Sequence, residues 1–127
     1  MTQPIVSRIA VVILGIVMIV FGVYHFMAPQ NLMAFVPEFL PGGIIWVYFA
    51  GGAFILAAIA FLIHKQVRIA GYLLAALLII FVLTVHLPGY LNAGSADVKQ
   101  SELVNLLKDT AIAAFALYIG SNSRDYE

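Results

Sequence analysis

The sequence predicts an all-α integral membrane protein: one domain, residues 1–127, of four bundled spanning helices with a proline-rich interfacial loop between helices 1 and 2. Three observations carry this prediction. First, the chain is 64% hydrophobic and only 9% charged, with a mean hydropathy of +1.07, whereas soluble domains carry roughly a quarter charged residues. A soluble domain this small buries only about two-thirds of its chain surface, so the bilayer has to serve as solvent for the rest. Second, four apolar stretches, 5–27, 43–63, 67–87 and 103–120, approach the ~20 residues that cross a hydrocarbon core. Third, the polar residues and helix breakers collect between those stretches.

The first stretch ends in "HFMAPQ" without a small-x-small cleavage site, so it reads as a retained span and not as a leader. The segment that follows, "APQNLMAFVPEFLPGG" at 28–43, is apolar yet interrupted by Pro29, Pro37 and Pro41. It cannot span, and is expected at the interface with Leu32, Phe35, Phe39 and Leu40 as its buried side. Along the second stretch Ala50, Ala53, Ala57 and Ala60 form a narrow seam where another helix can approach closely, and Gly15 and Gly22 do the same for the first. "HKQ" at 64–66 is a tight polar turn with His64 solvated. "PGYLNAGSADVKQSE" at 88–102 reads as a polar loop broken at Pro88, Gly89 and Gly94. The fourth stretch is the least apolar, because its first turns carry Asn105, Lys108 and Asp109.

Basic residues set the expected orientation. Arg8, Lys65, Arg68 and Arg124 fall on one side, and the positive-inside rule makes that side, with both termini, cytoplasmic. Segments 28–43 and 88–102 then lie outside. An internal echo fits the same topology: "RIA" occurs at 8–10 and again at 68–70, followed 15 residues later by His25 and 16 residues later by His86. Two helical hairpins of one orientation give such a pattern.

Composition also excludes classes. Six basic and six acidic residues leave no net charge, which argues against nucleic acid as a partner. The absence of cysteine removes disulfides, thiolate metal sites and iron–sulfur clusters. There is no phosphate-binding glycine loop, HExxH or G-x-S-x-G, and the carboxylates are too few for a di-metal site. No catalytic residue and no metal site is assigned.

The topology gathers distant polar residues at the outer end. His25 and His86 close spans one and three there, Trp46 and Tyr48 open span two, and Asn105, Lys108 and Asp109 open span four. Glu102, Asn105 and Asp109 share about one helical face, with Lys108 about 100° to one side. Carboxylates suit a helix N-terminus and a lysine does not, so Lys108 either snorkels to headgroups or pairs with Glu38 or Asp109. In a helix starting near 103 both charges sit shallow, where a solvated polar turn is the plainest account. The candidate ligand or partner cluster is His25, Glu38, Trp46, His86, Asn105, Lys108 and Asp109. The two histidines are interfacial residues satisfied by water and backbone, or residues with a proton- or ligand-linked role, or a pair able to ligate a metal or, axially, a haem.

"SRIAVVILGIVMIVFGVYHFMAP", "VPEFLPGGIIWVYFAGGAFILAAIAFLI" and "LVNLLKDTAIAAFALYIGS" together resemble the DoxX-like family of small four-helix membrane proteins. The resemblance implies a bacterial inner-membrane protein associated with redox or stress-defence complexes, as an accessory subunit or small chaperone. It does not imply sulfur oxidation, and a chain without cysteine has no direct thiol chemistry. The leading expectation is a non-catalytic accessory subunit whose outer cluster binds a partner protein, a lipid or a quinone. The alternative is a quinone- or haem-linked subunit of a membrane oxidoreductase. A transporter component is the third class, and four short helices would need a homo-oligomer to enclose a pathway. Expected partners are therefore the bilayer, a membrane or redox protein, or further copies of the chain.

Overall fold

The computed structural model describes residues 5–33, 36 and 38–123. Phe35, Pro37 and Arg124 lie outside the described residues. The elements are α1 (Ile5–Met27), α2 (Pro29–Leu32), α3 (Ile44–Ile63), α4 (Val67–Phe81), α5 (Leu87–Leu91) and α6 (Ala96–Asn122), with a π turn at Val82–His86 joining α4 to α5. Four helices, Ile5–Met27, Ile44–Ile63, Val67–Leu91 and Ala96–Asn122, are long and apolar enough to cross a membrane. The protein is an all-α membrane bundle. Only 28% to 39% of each span's most apolar window is buried inside it. Leu56, Leu73 and Tyr118 are among many large side chains left facing outward, a surface that fits contact with lipid.

The helices associate as two pairs, α1 with α3 and α4 with α6. Small residues allow it, since helices in lipid gain by close packing and not by excluding water. Gly15 and Gly22 are buried on α1, and Ala50 and Ala57 on α3, with Ala53 and Ala60 half-buried. The closest approaches run through glycine: a Cβ on Gly51 would lie 2.7 Å from His25 Cβ, and one on Gly71 would lie 2.7 Å from the Ala116 carbonyl oxygen. Met18, Phe61 and Val67 are the largest fully enclosed side chains of the shared core.

At the end where α1 starts and α6 finishes, Arg8 donates to the Phe61 and Leu62 carbonyls, each at 2.6 Å. These are among the last carbonyls of α3, which have no partner within the helix and a partial negative charge. Arg68 reaches the Ser123 carbonyl just past α6, at 3.5 Å. The arginine of each "RIA" thus serves the end of the helix paired with its own. Arg8→Met is expected to cost about 1–2 kcal/mol, read as a lower midpoint for reversible unfolding in mixed detergent micelles.

Four boundaries differ from the sequence reading, among them the end of the fourth span, at Asn122 and not at 120. The third span does not stop at 87 but runs through Pro88 and Gly89 to Leu91. Proline in a helix removes one N–H and crowds the carbonyl four residues back, here that of Thr84. The π turn widens the helix at that place: the Leu87 N–H bonds to the Val82 carbonyl, five residues earlier, and the Thr84 hydroxyl donates to Ile80 at 2.7 Å. This turn also takes up the one extra residue between "RIA" and histidine in the second half.

The fourth span starts at Ala96, not near 103, so most of 88–102 is helix and the connection shrinks to 92–95. Asn92 closes α5 through its backbone N–H and side-chain amide on the Pro88 carbonyl, both at 2.9 Å. Ser95 opens α6, its hydroxyl accepting from the Val98 N–H at 3.2 Å, with Asp97 in the first turn. Those first turns are polar, and polarity there marks water and not irregular backbone.

The second span begins at Ile44, one residue later than expected, after Gly42 and Gly43 turn at positive φ. In the preceding segment Leu32 and Leu40 are half-buried, but Phe39 is 77% exposed and does not belong to a buried side. His64 is half-buried, with Nδ1 enclosed, in a turn where it and Gln66 both take positive φ.

Candidate functional site

Toward the end where α1 finishes and α6 starts, a cavity of about 460 Å³ lies between the two helix pairs. That is within the usual size of small-molecule sites. Phe21, Phe54 and Phe81 wall it from three spans, and Leu32 and Leu40 border it from the segment between α1 and α3. Phe49 on α3 and Ile80 on α4 line it while remaining 58% and 54% exposed. Phe39, from the segment between α1 and α3, also lines it and is 77% exposed, so the exposed lining runs from that segment to the flank between α3 and α4. Trp46 stands beside it, its indole N–H donating to the Pro41 carbonyl at 2.6 Å and fastening the 28–43 segment to α3.

The cavity is polar at one end. His86, 8% exposed, presents Nδ1 to Glu102 Oε1 at 2.9 Å and Nε2 to Asp109 Oδ2 at 3.2 Å. Lys108 Nζ approaches Asp109 Oδ1 at 3.6 Å and lies 4.8 Å from the centre of the Phe21 ring. On α1 at this same end, His25 donates from Nδ1 to the Phe21 carbonyl at 2.6 Å and stands edge-on to Phe54. Asn105 lines the same end.

Hydrogen counting constrains this set. An ionised carboxylate only accepts, and a neutral imidazole has one N–H. Two contacts between His86 and carboxylates both become hydrogen bonds only when the trio holds one proton more than a neutral ring between two carboxylates. Placed on His86, that proton makes an imidazolium; with Lys108 it balances Glu102 and Asp109. Charge balance is what allows such groups to be buried in a membrane bundle.

The structure therefore brings together His25, Trp46, His86, Asn105, Lys108 and Asp109, and leaves Glu38 aside, exposed in its turn. Lys108 pairs with Asp109 and not with Glu38. With α6 starting at Ala96, Asp109 lies about 20 Å along the helix, and at 6% exposed it is a buried group and not part of a solvated turn, whereas the Lys108 side chain is 41% exposed. Glu102 is the site residue absent from the expected cluster. Its shared face with Asp109 is legible as a seven-residue spacing, but its assignment to a loop hid it. Both ring nitrogens of His86 face carboxylates, so neither is turned toward a group shared with His25. Among the described residues no group of three histidines or carboxylates is arranged to hold a metal ion.

The model of one protein family matches residues 14–119, that of the domain of unknown function DUF8561. The chain belongs to DUF8561. The DUF8561 match contains every residue of the cavity and of the buried cluster beside it. No curated protein and no solved structure matches the chain.

Proposed function

We propose that this DUF8561 chain is a non-catalytic accessory subunit of a bacterial inner membrane that holds a lipid-soluble amphipathic molecule, a quinone or a lipid. The observation that carries this is the cavity's polarity. Its walls are apolar and aromatic, its exposed lining reaches the flank between α3 and α4, and its polar groups stand at one end. An amphiphile entering sideways from the bilayer would place its headgroup against Lys108, His25 and Asn105, with its tail toward Phe49 and Ile80. The resemblance to DoxX-like proteins supports an accessory role. Arg8, Lys65 and Arg68 support cytoplasmic termini, which would set the cavity in the outer leaflet.

A quinone-linked subunit of an oxidoreductase is the second reading. The phenylalanines around the polar end favour it, since a flat ring headgroup stacks on them.

Native mass spectrometry of the protein extracted gently from its own membrane, with an absorbance spectrum of the same sample, tests both. A small-molecule adduct should be retained by the wild type and reduced about tenfold by Ala50→Leu, which builds into the cavity. A redox-sensitive ultraviolet band in that adduct would select the quinone. A chain that emerges bare would remove the ligand-holding reading.

A further inference from the structure

We infer that Glu102, His86 and Asp109 form a proton relay joining the water outside the bundle to the polar end of the cavity. The inference rests on the cavity being a ligand site and adds what happens to the ligand there: its headgroup is one that gains and loses a proton.

Placement is the first support. Residues 94–101 are an unbroken exposed run, and Glu102 is the first buried residue after it. Asp109, two turns further along α6, lines the cavity, as His86 does, while Glu102 does not. The three groups thus cover about 10 Å along the bundle axis, with one end beside water and the other at the ligand site. His86 bridges them with a different ring nitrogen on each side, at 2.9 and 3.2 Å. An imidazole is the side chain able to accept a proton at one nitrogen and release another from the second.

Two features serve this geometry. The π turn ends at His86, and such turns recur where a helix must aim a functional side chain. Gly89 leaves room for the outer carboxylate, since a Cβ there would overlap the Glu102 carboxyl group. Among the described residues, the charged and titratable groups around His86 include Glu102, Asp109 and Lys108 on α6 and His25 on α1; α3 carries no charged residue, and its one titratable group is Tyr48.

The transfer balances without any further reactant. From the neutral ring with its proton on Nε2, a proton taken up from water by Glu102 passes to His86 Nδ1 and gives the imidazolium; the Nε2 proton then passes to Asp109, and Asp109 gives it to an anionic headgroup. The reverse sequence returns a proton from the headgroup to water, so uptake and release restore the starting tautomer.

The experiment uses the full chain in lipid nanodiscs with a hydroxynaphthoquinone carrying a short alkyl chain, a weak acid whose anion is coloured. After rapid acidification, the loss of colour of the bound probe reports proton entry to the cavity. Glu102→Gln keeps the size of the side chain and removes the proton-carrying group. It should slow that loss at least about tenfold while leaving the affinity for the probe within about threefold. Gly89→Ala keeps every titratable group and displaces the carboxylate, so it should slow the reaction as well and replaces the first variant should that one not assemble. Probe bound by either variant and protonated at the wild-type rate would overturn the relay alone. Failure of the wild type to bind the probe would overturn the cavity reading and the relay with it.

Discussion

Asp109→Leu should lower the stability of the bundle by about 3–5 kcal/mol, the cost of stripping a buried ionic group of its partner. Asp109 is the one residue that faces both cations of the cluster, His86 Nε2 at 3.2 Å and Lys108 Nζ at 3.6 Å. Its removal takes from His86, itself 8% exposed, the carboxylate that faces Nε2. Asp109→Asn should cost less, because the amide oxygen still accepts from His86 although the charge is gone. Replacing His86, Glu102 and Asp109 together by leucine should recover most of the loss, to within about 1–2 kcal/mol of the wild type, since no buried charge is then left without its counterpart. Lys108, with 41% of its side chain exposed, can stay solvated in that variant. Reversible unfolding in mixed micelles measures all three. A single variant as stable as the wild type would show that the carboxylate is hydrated in the folded bundle.

Gly71→Ala should separate α4 from α6. A Cβ at this position would lie 2.7 Å from the Ala116 carbonyl oxygen, 2.8 Å from the Gly120 nitrogen and 2.9 Å from its Cα. All three are backbone atoms, so no side chain can swing away and one helix has to move. The expected loss is about 1–3 kcal/mol, with a matching fall in the unfolding midpoint. Gly52 on α3 is the control, because a Cβ there meets nothing within 4 Å. Gly52→Ala should be neutral or add up to about 1 kcal/mol through helix propensity. If the two substitutions behaved alike, the close crossing of α4 and α6 would not exist.

The pair of results also separates two kinds of legibility. That Gly15 and Gly22 pack is readable from their seven-residue spacing, because small residues recurring on one face have few other uses in a lipid-facing helix. That Gly71 meets Gly120 is not, since neither has a partner within its own helix and the contact depends on how α4 and α6 cross. The same division runs through the cluster. Asn105 and Asp109 are recognisable as costly residues in an apolar stretch. Glu102 is not, because it falls where hydropathy ends the span, although the backbone continues as helix from Ser95 onward.

By itself, the sequence determined the four spans, their antiparallel order and the gathering of polar residues at one end, because each follows from local hydropathy, chain length and the position of breakers. Only the tertiary structure decided that helix passes through Pro88, that Glu38 stands apart while Glu102 enters the site, and that His86 is held between two carboxylates. Those outcomes depend on the pairing of α4 with α6 and on a single widened turn. A one-residue change of helical phase turns a side chain by about 100°, and no local pattern records which neighbour it then faces.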